Sequence, residues 1–221
     1  ITTTLIISNE VRGNTAVENL SLSGSGGWGG RPSGGGMYLG ENDTVTLSGN
    51  EVRDNVTAKQ QVVNGVSSTS EGGGIALVNV ENATISNNTV SANVAVITGS
   101  ITSNTGENYY PNGGGITVGC WDKPSCTLSL ADNDILTNTT AYTITVSGTD
   151  AHGGANGGGI EVNENVSANL QKNTVSGNVA HQEAGPSDGA AGGGMDVNCS
   201  TVAMSQNRFL GNRSSQGGSV S

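Results

Sequence analysis

The chain has 221 residues with 36 Gly, 3% aromatic and 12% charged residues, and eight Lys and Arg stand against eighteen Asp and Glu for a formal charge of −10. Seven Trp, Tyr and Phe side chains cannot furnish the bulky interior of an ordinary sandwich or barrel, so the core has to be thin and aliphatic. A pI near 4.4 repels a phosphate backbone and excludes nucleic acid as a partner. No apolar stretch reaches the roughly 18 residues of a transmembrane segment. The amino end, Ile1-Thr2-Thr3-Thr4-Leu5, has neither a basic region nor a signal-type segment, and the chain reads as a soluble mature piece.

In chain order, Ile1 to Ser8 reads as a strand with Thr4 and Ile6 inward, and it leads into Asn9, Val11, Asn14 and Ala16. This signature has an aliphatic residue or Phe two after the first Asn, a second Asn five after it and a small residue seven after it. It begins again at Asn50, Asn88, Asn133, Asn173 and Asn207, with the second Asn at Asn55, Asn93, Asn138, Asn178 and Asn212. A second repeat, Gly-Gly-Gly plus an aliphatic residue, occupies 34–37, 72–75, 113–116, 157–160 and 192–195, with a partial copy at 217–220.

After each triplet Met37/Leu39, Ile75/Leu77, Ile116/Val118, Ile160/Val162 and Met195/Val197 alternate with Tyr38, Ala76, Thr117, Glu161 and Asp196, which is the period of a strand. Val45/Leu47, Ala83/Ile85, Leu128/Leu130, Ala168/Leu170 and Val202/Met204 mark a second strand, and the residues around Val52 or Val90 a short third. From the last Gly of a triplet to the first Asn is 14, 14, 18, 14 and 13 residues, so the length variation falls in 17–33, 58–71, 96–112, 141–156 and 181–191.

Three short strands per unit fit a rung of a solenoid better than a propeller blade. The expected fold is all-β: a single parallel β-helix domain over 1–221, about six rungs with loop insertions at one corner and incomplete first and last rungs. Rungs about 4.8 Å apart stack like on like, and Asn suits this because its amide donates to one neighbour while accepting from the other and tolerates a left-handed corner. Two six-step Asn ladders are expected.

Gly-Gly-x-Ile together with Phe209-Leu210-Gly211-Asn212, Val90-Ser91-Ala92-Asn93 and Val175-Ser176-Gly177-Asn178 resembles the Gly-Gly-Ala-Ile and Phe-x-x-Asn repeats of polymorphic outer-membrane proteins. More broadly, the chain is similar to pectate-lyase-like right-handed parallel β-helices of large prokaryotic surface proteins. The resemblance implies right-handed winding, export, display at the cell surface and, often, adhesion.

Enzymes on this fold need several Asp with Ca²⁺ and an Arg base, or paired carboxylates, on one face. The acidic residues look scattered over the rungs, with Asp132 and Asp134 in a solvated turn, so neither catalytic residues nor a cofactor are expected, and Ca²⁺ has no assignable place. His152 and His181, with Asp150, Glu183 and Asp188 near in sequence, read as surface-loop histidines rather than a metal-binding or pH-sensitive pair. The variable stretches leave the same corner of successive rungs and have to lie side by side. Trp28, Tyr109, Tyr110 and Tyr142 concentrate there and make this flank either the candidate contact surface or a cover that shields one side of the helix, while alternation at Val96-Ile97-Thr98 and Thr143-Ile144-Thr145-Val146 points to added strands. Cys120 and Cys126 bracket Trp121 to Ser125 in the rung whose constant segment is four residues longer and form an expected disulfide, which implies an oxidising compartment; Cys199 is either buried and free or pairs outside the chain. Of the Asn-x-Ser/Thr sites, Asn19, Asn42, Asn82, Asn87, Asn165 and Asn198 are open to glycan, while Asn55, Asn138 and Asn212 belong to the ladder.

Joining Ser221 to Ile1 of another copy places Asn9 eleven residues after Ser219, near the usual spacing. The expected partners are therefore other copies head to tail, or neighbouring rungs of a longer chain. The expected role is a non-catalytic extracellular structural protein: a filament, sheath or stalk subunit, or the shaft of an adhesin with a glycan or host-surface ligand. The alternative is a polysaccharide-binding or polysaccharide-degrading β-helix using the decorated flank.

Overall fold

The computed structural model describes residues 2–104, 106–148, 151–183 and 189–214. Within them every strand pairing is parallel, and the strands fall into five sheets stacked rung on rung, a parallel β-helix. The triplet sheet holds Met37–Gly40, Ile75–Val78, Ile116–Gly119, Ile160–Asn163 and Met195–Asn198. Next in each rung comes the middle sheet, from Thr3–Ile7 and Thr44–Ser48 through Asn82–Ser86, Cys126–Ala131 and Val166–Gln171 to Thr201–Ser205. Three-residue strands such as Thr89–Ser91 and Asp134–Leu136 form the corner sheet between the two Asn positions.

Register follows the sequence repeat. Ile116 pairs with Ile75 and Ile160, Leu130 with Ile85 and Leu170, and Ile135 with Val90 and Val175. Their side chains fill one aliphatic cluster along the axis with no aromatic residue fully buried in it, as a narrow bore requires. Met204, expected inside, is 47% exposed in the last described rung. The residues on which head-to-tail joining turns, 217–221, lie outside the described ones.

The two ladders are continuous. Each amide nitrogen donates to the Oδ1 of the next rung's Asn: Asn50 to Asn88 at 2.9 Å, Asn88 to Asn133 at 3.0 Å and Asn133 to Asn173 at 2.9 Å. The second ladder repeats this from Asn55 to Asn93, Asn138, Asn178 and Asn212 at 2.9–3.0 Å. Each Oδ1 also takes the main-chain N–H of the previous rung's Asn, and each Nδ2 reaches back to a carbonyl of that rung, as Asn93 does to Val52 at 2.9 Å and Asn138 to Val90 at 2.9 Å. The left-handed corner is not on the ladder Asn, contrary to expectation. It falls on the residue before: Asn87, Asp132 and Lys172 in one ladder, Asp54, Ala92 and Thr137 in the other, all with φ of 53–58°. The Asn is thus free to keep an extended backbone while its neighbour turns the chain.

The triplets have a packing cause as well as a turning one. Gly72 has φ +58°, a Cβ on Gly73 would run into Gly114 O and the Val94 backbone, and one on Gly74 would sit 2.9 Å from the Asn93 amide nitrogen. The third glycine therefore makes room for the ladder.

The variable stretches are sheets rather than loops. A flank sheet of Thr15–Ser23, Val56–Asn64, Val94–Thr102, Thr139–Ser147 and Val179–Glu183 continues each rung, and Asn108–Tyr109, His152–Asn156 and Gly189–Ala191 fold back beside it. Between them lies a second core of Val63, Ile101, Ile144, Ala58, Ala141, Ala180 and Tyr109.

Candidate functional site

Where the flank folds back over the triplet sheet, the two leave a cleft of about 590 Å³. One wall is Trp28, Ser68, Asn108 and Tyr110 from the flank; the other is Trp121 and Asp122 on the loop closed by the Cys120–Cys126 disulfide, with Cα atoms 5.9 Å apart. The floor comes from Glu71, Asn112 and Asn156, aligned just before their triplets, and from Glu161 just after its own.

Arg31 crosses this space. Its guanidinium lies 4.4 Å from the Trp121 ring centre and 5.6 Å from that of Trp28, and its Nε stands 3.4 Å from Glu71 Oε1. The Glu71 side chain is 1% exposed, and Oε1 accepts no hydrogen bond. Burial pushes its carboxyl up to about 7, against the pull of Arg31 and of the Ser33 hydroxyl. Glu161 is 1% exposed and held well above the carboxylate range by burial first, then by Asp196 and Glu71. Asn163 Nδ2 donates to its Oε1 at 3.4 Å, and the Asn112 amide, nitrogen turned inward, donates to Oε2 at 3.3 Å. Asp196, in register with Glu161 on the next strand, is also raised by burial. Among the described residues no cation pairs with Glu161.

These acids, which look scattered in the sequence, converge because the triplet sheet stacks Thr117, Glu161 and Asp196 outward in one file and the residue four before each aliphatic position forms a parallel file beside it. Thr117 joins the files, its hydroxyl donating to Asn112 O at 3.0 Å and accepting from Gly72 N at 3.0 Å. The outward alternation of Glu161 and Asp196 was the available signal. Trp121 gave none, since its place depends on the disulfide loop reaching over the sheet.

The expected surface residues divide. Trp28 is 69% exposed and Tyr110 half-buried, both on the cleft, whereas Tyr142 is exposed on the outside of the flank. Tyr109 corrects the expectation: it is fully buried in the second core, its hydroxyl donating to Gln61 Oε1 at 3.2 Å, and Gly99 leaves out the Cβ that its ring displaces. His181 is buried in the flank rather than in a surface loop, whereas His152 is exposed; Asp150 and Asp188 lie outside the described residues. Cys199 is free and exposed, not buried. Asn19, Asn82, Asn87, Asn165 and Asn198 are exposed and Asn42 half-buried, while Asn55 and Asn138 are fully buried. Among the described residues no group of three or more His, Cys, Asp or Glu could hold a metal ion.

No family model, curated protein or solved structure matches the chain.

Proposed function

We propose that this chain is a rigid, extracellular β-helical rod whose cleft binds a glycan, within a surface protein of the right-handed, pectate-lyase-like, adhesin type. The observation that carries the reading is the pair of indoles, Trp28 and Trp121, in one cleft whose lining, besides Arg31 and four carboxylates, is rich in amides and hydroxyls: Asn108, Asn112, Asn156, Asn163, Asn198, Ser68 and Thr69. Indole faces stack on the C–H faces of sugar rings, and Asn side chains donate and accept at once, as a ring of hydroxyls demands. The ladders support the rod, because every rung is tied to the next through buried amides. The disulfide supports an oxidising compartment outside the cytoplasm.

Retention on a panel of immobilised polysaccharides tests the reading. Wild type is retarded by at least one, and Trp28→Ala and Trp121→Ala each weaken retention about tenfold, the equivalent of ~1.4 kcal/mol. A wild-type protein that passes every polysaccharide unretarded, or tryptophan variants that bind as well as it does, would overturn the reading.

A further inference from the structure

The ligand class follows from the charges of the cleft, and this step rests on the glycan-binding reading above. Glu71, Asp122, Glu161 and Glu164 line it against one cation, Arg31, and the whole chain carries −10. A uronic-acid or sulfated glycan would bring more negative charge to a floor already short of cations. The floor has one unmet need: Glu161 is buried with amide donors but no counter-ion, whereas Glu71 Oε1, which accepts no hydrogen bond, already has the Arg31 guanidinium 3.4 Å away. Burying a carboxylate without a cation is costly, so such a group either keeps its proton or awaits a positive partner. Arg31 shows which partner suits the place, a cation held between indole faces above a buried carboxylate. We propose that the cleft is a subsite for amino sugars, the ammonium of a glucosamine-type unit reaching Glu161 while its ring lies against a Trp face and its hydroxyls meet the Asn side chains. Glu71 and Glu161 are two rungs apart, about 9.6 Å at ~4.8 Å per rung, so the negative floor extends along the axis under more than one sugar unit.

The geometry favours a sugar over a Lys- or Arg-rich peptide, because five Asn amides are more than a row of ammonium groups can use. Besides Asp196 and Glu71, which raise its proton affinity, Glu161 faces Asn163 on its own strand and Asn112 from the neighbouring rung. Binding an ammonium there therefore releases a proton.

Isothermal titration calorimetry with four hexamers decides it: glucosamine, its N-acetylated form, galacturonate and lysine, at pH 6 in two buffers of different ionisation enthalpy. The expected order puts the glucosamine hexamer at least tenfold tighter than the N-acetylated one, with the galacturonate and lysine hexamers weaker still and proton release only with glucosamine. Glu161→Gln loses the tenfold preference and the proton release but keeps the N-acetylated affinity. That variant replaces a buried, proton-holding carboxyl by an amide of the same shape, so an unchanged or raised Tm certifies its fold. Equal or tighter binding of the N-acetylated or galacturonate hexamer overturns the amino-sugar assignment and leaves the glycan reading standing. Lysine hexamer bound as tightly overturns it in favour of charge alone, and an unaffected Glu161→Gln overturns the role of that carboxyl. If no sugar binds, both this assignment and the glycan reading fall.

Discussion

Asn138 sits in the middle of the second ladder, fully buried, and the bonds it makes set the cost of losing it. Its Nδ2 donates to Asn178 Oδ1 at 3.0 Å and to Val90 O at 2.9 Å, and its Oδ1 takes both Asn93 Nδ2 and Asn93 N at 3.0 Å. In Asn138→Ala the Asn93 side chain keeps its bond to Val52 O, but the Asn93 main-chain N–H is left buried without an acceptor, which costs ~1–3 kcal/mol. Three further bonds, each worth ~1 kcal/mol net, go with it, so the expected loss is about 4–6 kcal/mol. Asn14→Ala, in the first rung, removes one side-chain donation to Asn55 and should cost about 1 kcal/mol. Asn138→Asp is the sharper probe. It is isosteric, yet it turns both donations into oxygen-against-oxygen contacts around a buried charge, and it should cost at least as much as alanine. Equilibrium unfolding in guanidinium, followed by circular dichroism, reads all three. An Asn138→Asp protein near wild-type stability, or Asn14→Ala and Asn138→Ala of equal cost, would show that the amides merely fill space, and the ladder argument would fail.

Glu71 makes stability depend on pH. Its folded pKa of about 7 lies above the ordinary 4.5, so the folded state holds the proton more tightly; the stabilisation is full below about 4.5 and is lost as pH rises towards about 7. At ~1.36 kcal/mol per pH unit this has a ceiling of about 3 kcal/mol. Buried Glu161 and Asp196 push the same way, and Glu71→Gln should flatten the fall in Tm between pH 5 and pH 7. Gly73→Ala sets a Cβ against Gly114 O and the Val94 backbone, which no side-chain movement relieves; the expected cost exceeds the ~1–3 kcal/mol of ordinary overpacking, and the soluble folded yield should collapse. Replacing Cys120 and Cys126 by Ser opens a loop with a sequence separation of six, worth about 2 kcal/mol on the chain-entropy estimate, and should weaken glycan retention as much as Trp121→Ala, since the bond fixes that wall.

How legible each feature was in the sequence depended on whether it repeats. Asn ladders, glycine triplets and inward aliphatic pairs recur rung after rung because stacking multiplies one local requirement, and the intervals between them separated spine from flank. Tyr109 carried no such mark: its ring is buried because Gly99, in the preceding flank strand, lacks a Cβ, a relation that occurs once. The left-handed corner went to Thr137 or Ala92 rather than to the adjacent Asn because the Asn amide has to keep its alignment with the rungs on either side. Glu71 and Glu161 are distant in sequence and sit at different offsets from their triplets, so only the sideways packing of two files brings them to one floor.

The amides of both ladders all face the same way, oxygen towards the lower-numbered winding and nitrogen towards the higher. Their dipoles add instead of cancelling, which gives the shaft an electrical arrow in addition to the direction of its strands. A winding presented upside down would set oxygen against oxygen or N–H against N–H along both spines. Growth or extension of such a column is thereby restricted to one sense, and this discrimination costs no residue beyond those that already hold it together.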